Sequence, residues 1–517
     1  MPPVWDMAYH QLMGWSFLAA FRNGQTVFQA GLLSDYYPPL QYYLEAGILS
    51  LFGCTQFLPL LSNLLGLGLL SFSSFRIAAV FLHPSTSVLA GWLVLILPMS
   101  AWMSRVSLLD IPLAGWVALS LLAVIRSRGF TNHRWTIIFG IGCALGMLTK
   151  WTWFLFLLTP VTIAFTTSPN RIRGFLNLLW AALIIAVLSG WWYLLNLGTL
   201  RSRFVVTAGQ ASWEQDPGLS SFWGWIYYLR CLSSYYLFLP LSILFVVAIY
   251  QVIRTRRNEP YGWFLLISLA GGLFLLTVLP TKDPRYALPA IVMVAILLVK
   301  PINRFPKIQK GVLVFVFIQF LFCSFQTPLG DVKLALFSHD NDTDFVSVSR
   351  EWVLFENNYF GILGPARKED WKYREILEAV ISPDAHKGYR GDGKAGGNTG
   401  RKGRKRDRPS IMASSEVGPI RVGFVPDAPF FSGGTLELHA VRKGVPIRVR
   451  RLGNNPKDVD RFVDLDWIVG KTGSQGISVI NRWNSDVYEQ IRITGWPIAG
   501  TWSLPDESVA ILWKNPH

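Results

Sequence analysis

The sequence predicts a polytopic α-helical membrane protein with a small C-terminal α/β domain on the extracytoplasmic side. Three observations predict it. Only 15% of residues are charged, against 51% hydrophobic and 14% aromatic, where soluble domains carry about 25% charged residues. The apolar residues before position 327 fall into blocks of about one bilayer crossing. Beyond 327 the chain turns polar, and its apolar runs are short, β-branched and separated by a helix.

The chain opens directly on Pro2-Pro3-Val4-Trp5-Asp6 rather than on a cleavable signal peptide. Residues 8–22 read as a short amphipathic helix ended by Asn23-Gly24. Ser34-Asp35-Tyr36-Tyr37-Pro38-Pro39 turns the chain into a second short helix over 40–52, which carries Glu45 and is closed by Gly53. Both helices are too short to span, so residues 1–56 read as a first outside loop with interfacial helices.

Residues 57–326 hold ten expected spans: 57–81, 87–104, 107–125, 136–149, 151–167, 175–197, 233–253, 261–280, 285–299 and 311–326. Their connecting loops alternate in charge. One set carries Arg76, His83, Arg126, Arg128, Arg134, Arg171, Arg173, Arg254, Arg256, Arg257, Lys300, Arg304, Lys307 and Lys310. The positive-inside rule puts that set in the cytoplasm. Loops 105–110, 149–151, 198–232 and 281–285, with the N-terminal segment and everything after 327, then lie outside, in a cell inner or plasma membrane. A chain that starts outside needs an earlier crossing, so a first span before Met1 is expected.

Residues 327–385 begin the outer domain and include a soluble helix at 367–382. Residues 386–410 hold nine Lys/Arg against two Asp among many Gly, and read as a disordered basic linker. Residues 411–517 alternate strand, helix and strand: 420–427, a helix near 433–443, 446–452, 464–473 and 508–514. No GxGxxG follows a strand, which excludes a dinucleotide site of that type. The net charge of +16 is spread over the linker and the short membrane loops, so nucleic acid is not an expected partner. Cys54, Cys143, Cys231 and Cys323 all lie in or beside apolar blocks, and no CxxC is present.

Polar groups in such a chain need a reason. Asp6 precedes the first helix and serves either as its N-cap or as a general base. Arg105 and Asp110 flank the turn between two apolar blocks, either paired with each other or serving a substrate. Lys150 splits two apolar blocks, either snorkelling to headgroups or holding a ligand. Lys282-Asp283-Pro284-Arg285-Tyr286 sets two cations in one tight outside turn, suited to lipid headgroups or to a phosphate. Two acids and several cations on one face suit attack by a hydroxyl on a carbon that bears a phosphate leaving group.

With these residues in view, the chain resembles the membrane C-fold glycosyltransferases of family 39, the class of protein O-mannosyltransferases and aminoarabinose transferases. The pieces are PPVWDMAYH (2–10), YYPPLQYYLEAGILSLFG (36–53), SRVSLLDIPLAGW (104–116) with LGMLTKW (145–151), and KDPRYALPA (282–290). The resemblance implies a polyprenyl-phosphate sugar donor and an inverting transfer to a protein, lipid or glycan acceptor. It maps the base to Asp6, the second-loop acid to Asp110, and the donor phosphate contacts to Lys150, Lys282 and Arg285. Tyr9, His10, Tyr37, Arg105 and Tyr286 are candidate substrate contacts. Two features depart from the family: Met7 follows Asp6 where many members have Glu, and loop 198–232 has Glu214 and Asp216 but no His. A divalent metal therefore stays open, with Asp35 as its candidate ligand. Two other functions fit a polytopic chain: a transporter or flippase for a lipid-linked sugar, and a non-catalytic scaffold.

Overall fold

A computed structural model describes residues 6–53, 57–213, 216–325, 332–334, 352–355, 369–382, 419–453, 464–476 and 481–516. The basic linker 386–410, Cys54 and Glu214 lie outside the described residues. In chain order the helices are α1 (Asp6–Arg22), α2 (Val27–Gly31), α3 (Leu40–Phe52), α4 (Leu58–Ala78), α5 (Pro84–Ile96), α6 (Pro98–Met103), α7 (Asp110–Arg126), α8 (His133–Met147) and α9 (Leu158–Thr166). Then come α10 (Arg171–Trp213), α11 (Phe222–Cys231), α12 (Phe238–Thr255), α13 (Pro260–Val278), α14 (Ile291–Val299) and α15 (Pro306–Ser324). Strands β1 (Val332–Leu334) and β2 (Trp352–Phe355) pair antiparallel. The remainder is α16 (Tyr373–Ile381), β3 (Ile420–Phe424), α17 (Gly433–Arg442), β4 (Ile447–Arg451), β5 (Trp467–Lys471), α18 (Asn484–Ile493), β6 (Ile498–Ser503) and β7 (Val509–Lys514).

The chain divides into two compact units. The first holds Met1–Leu33, Glu45–Cys54 and Arg367–His517, and the second holds Ser34–Leu44 and Thr55–Ala366.

The second unit is helical. Among its described residues, six stretches are long and apolar enough to cross a membrane: Leu58–Ala78, Arg171–Ser202, Phe222–Thr255, Pro260–Val278, Pro284–Ile302 and Pro306–Ser324. The protein is a multi-pass membrane protein. The other four expected spans fall on shorter helices. Pro98 divides the expected span 87–104: it has no N–H to donate and forces Leu97 into an extended conformation (ψ 146°), so α5 stops and α6 starts. The expected outside loop 198–232 is largely helical. No proline interrupts the sequence after Arg171 until Pro217, and α10 runs on for 43 residues. The stretch Phe222–Thr255 contains a π-helical turn at Leu232–Leu237, and buried Phe238 after it has φ 55°. A bulky residue held there is strained and must be fixed by its surroundings.

The first unit is built on a five-stranded sheet of order β4-β3-β5-β7-β6. β3, β4 and β5 are parallel, with Val422 opposite both Val449 and Trp467, while β7 runs antiparallel to β5 and β6. β5 (WIVGK) is buried along its whole length, as a central strand covered on both faces must be. One face carries α16 and α17 through Ile376, Leu377, Val380, Leu436 and Ala440. The other carries α18 through Val487 and Ile491. The expected strands and helices of 367–517 are present, and α18 and β6 are additional. Within the same unit α1 lies on α17: Leu12 packs against Leu438 and Val441, and Arg442 donates to Gln11 Oε1 at 2.7 Å. Gly14 of α1 faces Glu45 of α3, where a Cβ would stand 2.9 Å from the Glu45 Cβ.

Candidate active site

The helical unit gathers four of the residues singled out by sequence: Asp110, Lys150, Arg285 and Tyr286. Asp110 is the first residue of α7 and is 2% exposed. A carboxylate there faces the positive end of the helix dipole. Lys150 stands just past the end of α8, whose last turn is closed by Lys150 N–H donating to Gly146 O at 3.0 Å and Thr149 Oγ1 donating to Leu145 O at 2.8 Å. From that end the Lys150 ammonium reaches Asp110 Oδ1 at 2.8 Å. Neither alternative reading of these two groups holds. Lys150 does not snorkel to the surface, being 8% exposed, and Arg105 does not pair with Asp110. Arg105 instead donates to the carbonyls of Ala101 (2.9 Å) and Cys323 (2.9 Å).

Lys150 Nζ also lies 4.7 Å from the centre of the Tyr286 ring, and the Arg285 guanidinium lies 5.9 Å from the same centre. Cations so placed over an aromatic ring are attracted by its electron-rich face. The segment that carries Tyr286 is a short 3-10 helix, Pro284–Ala290, capped by Asp283. Asp283 accepts from Arg285 N–H at 2.9 Å and from Arg285 Nε at 2.7 Å. Tyr236, in the π-helical turn, donates its hydroxyl to Pro284 O at 2.8 Å. The strained turn thus steadies the backbone beneath Tyr286. Tyr236 was not legible as a site residue, since it sits in an apolar run with no charged neighbour.

Lys282 is placed differently from its neighbours. It is 1% exposed, and its ammonium donates to Thr277 O (2.7 Å) and Leu279 O (3.0 Å) at the C-terminal end of α13. Its backbone N–H donates to Asp216 Oδ2 at 2.7 Å. Burial holds its pKa below the usual lysine value, against the opposing pull of Asp216. This lysine closes a helix end and ties down the 279–283 turn.

Asp35 is exposed and Tyr37 half-buried in the turn before α3, where the Tyr36 and Tyr37 rings meet at 4.3 Å. Asp6, Tyr9 and His10 belong to the other unit. Asp6 opens α1, His10 is buried, and the rings of Tyr9 and His10 meet edge to face at 5.7 Å. Among the described residues no three His, Cys, Asp or Glu side chains converge as an all-protein metal cage would require.

No protein-family model and no curated protein matches the sequence. Solved structures do. ArnT from Cupriavidus metallidurans bound to undecaprenyl phosphate aligns over 99% of this chain and 94% of that one, with a TM-score of 0.56 at 13% identity. The chain shares the fold of ArnT. The apo form of that protein aligns over 92% of this chain and 88% of its own, with a TM-score of 0.52 at 14% identity. The archaeal oligosaccharyltransferase AglB from Archaeoglobus fulgidus, in complex with an inhibitory peptide and a dolichol-phosphate, aligns over 99% of this chain and 70% of its own. Its TM-score is 0.50 at 11% identity. The C-type fold expected from the four sequence pieces is therefore present.

Proposed function

We propose that the protein is a membrane glycosyltransferase that moves a sugar from a polyprenyl-phosphate donor to a hydroxyl-bearing acceptor on the extracytoplasmic face of a cell membrane. The observation that carries this reading is the buried Asp110–Lys150 pair set against Tyr286 and Arg285, in a fold shared with an ArnT solved with undecaprenyl phosphate. A lysine ammonium has three donors. One reaches Asp110, which leaves donors for the oxygens of a phosphate. Arg285 adds a second cation near the same ring, and its planar fork suits a phosphate.

In the reaction, the acceptor oxygen forms a bond to the anomeric carbon as the bond from that carbon to the phosphate oxygen breaks. The electron pair leaves with the polyprenyl phosphate. Lys150 and Arg285 stabilise the charge that grows there, an effect worth about 3 kcal/mol per well-placed donor. Asp110 fixes the position of the Lys150 ammonium, and Lys282 holds the turn that presents Arg285. The acceptor proton goes to a carboxylate, assigned to Asp6 by the family resemblance.

The test is incubation of membranes containing the protein with a labelled polyprenyl-phosphate sugar. Sugar transfer that is lost in Lys150→Met and in Asp6→Asn is expected. Movement of the lipid-linked sugar across the bilayer without transfer would replace this reading with a transporter. Neither transfer nor movement would leave a scaffold.

A further inference from the structure

α4, α5 and α15 enclose an apolar groove of about 760 Å³ that includes Gly68, Ser71, Gly91, Trp92, Ser104 and Phe320 in its lining. Its sides are apolar and exposed, with Phe72 and Trp92 more than half exposed. Small residues make the room. Ser71 Oγ donates to Gly91 O at 2.9 Å, and a Cβ on Gly91 would stand 3.2 Å from that helix partner. A Cβ on Gly68 would meet nothing within 4 Å, so it faces the open groove.

A cation adjoins the lining in the chain. Arg105 follows the lining residue Ser104, and its guanidinium donates to the carbonyl of Cys323, about one helical turn beyond the lining residue Phe320. Its described partners are two neutral carbonyls. Among the described residues this half-buried guanidinium has no acidic partner, and a guanidinium has five donors. An apolar trough in a membrane protein, adjoined by a cation with no acidic partner among the described residues, matches one ligand chemistry: a hydrocarbon chain that carries a phosphate at its head.

We propose that this groove is a binding site for an anionic phospholipid of the bilayer, with one acyl chain along Gly68 and Gly91 and its phosphate on Arg105. The site uses none of Asp110, Lys150, Arg285 or Tyr286. A guanidinium makes charge-assisted hydrogen bonds to a phosphate, and a head group that carries no cation of its own leaves that phosphate free to accept them.

The test uses the full chain in nanodiscs of phosphatidylcholine mixed with phosphatidylglycerol, with retained lipid counted by native mass spectrometry. The wild-type protein is expected to keep one phosphatidylglycerol. Arg105→Gln should lower that retention by about tenfold, the loss of one charge-assisted contact. Gly68→Leu should abolish it by filling the groove, and it keeps the helix because leucine is the better helix former. Retention of phosphatidylglycerol unchanged in Gly68→Leu overturns the proposal. So does equal retention of phosphatidylcholine. A third set of discs doped with undecaprenyl phosphate separates the donor lipid from the bilayer lipid: tighter retention of undecaprenyl phosphate, lost in Gly68→Leu, would give the groove to the donor and overturn the proposal.

Discussion

Lys150 places its ammonium 2.8 Å from Oδ1 of Asp110, a residue 40 positions earlier, and both side chains are buried. Burying two charges is costly, and the attraction between them offsets that cost only while both are present.

Removing one partner should therefore harm more than removing both. Lys150→Met leaves Asp110 unpaired and should cost about 3–5 kcal/mol of stability. The double variant Asp110→Asn/Lys150→Met should recover most of that loss while staying inactive in sugar transfer. Thermal unfolding of the purified variants in detergent, read beside the transfer assay, checks both halves. Equal unfolding temperatures for the single and double variants would show that the pair does not stabilise the bundle.

Tyr236→Phe removes one hydrogen bond to Pro284 O, and little else, since the ring volume is kept. A net loss of about 1 kcal/mol is expected. It should appear as weaker donor use, a raised KM for the polyprenyl-phosphate sugar, because the segment that carries Tyr286 and Arg285 is less firmly held. A variant with unchanged KM would place the Tyr236 bond outside the donor site.

His439 of α17 stacks on Tyr373 at 5.3 Å, and burial, with Arg442 and Lys443 nearby, pushes its pKa down to about 4. The folded protein therefore holds this imidazole neutral where the unfolded chain would protonate it. Its contribution is complete above pH ~6.5, and is lost as pH falls from there through about 4. Protection factors in the sheet domain of the full chain, taken relative to the intrinsic exchange rate at each pH, should fall over that window by an amount equivalent to about 3 kcal/mol at the acid end. His439→Phe keeps the stack and should flatten the profile. Identical profiles for the two proteins would assign the pH dependence to other groups.

Gly14→Ala tests the packing of α1. The new methyl would stand 2.9 Å from the Glu45 Cβ, which can yield only if a helix moves. A loss of about 1–3 kcal/mol is expected from such overpacking, measured as faster exchange in α1 and α3. Exchange rates equal to wild type would show that the two helices separate freely.

The local parts of this structure were legible in the sequence and the long-range parts were not. Residues 40–52 read as a helix because Pro38-Pro39 precede them and Gly53 follows, and α3 keeps those bounds. The strands at 420 and 467 announced themselves by β-branched runs. α18 did not, because NSDVYEQIRI carries six polar or charged residues besides its tyrosine and buries a narrow stripe, and β6 did not, because IAGTWS is mostly exposed. At the site, charge in an apolar context flagged Asp110 and Lys150 separately. That one answers the other depends on how α7 packs beside α8, which no local pattern encodes. Lys282 carried the same flag and proved to close a helix, since burial is equally needed for a structural and for a catalytic lysine.

The contact between Gln11 and Arg442 spans 431 positions of chain. At a synthesis rate of roughly 5–20 residues per second, α1 leaves the ribosome on the order of 20 to 90 seconds before α17 exists to cover it. During that interval Leu12 and its neighbours are unsheathed while the bundle is being inserted. The sheet domain covers α1 only once α17 has been made, so a truncation before Gly433 would strand the segment that bears Asp6 as surely as a mutation within it.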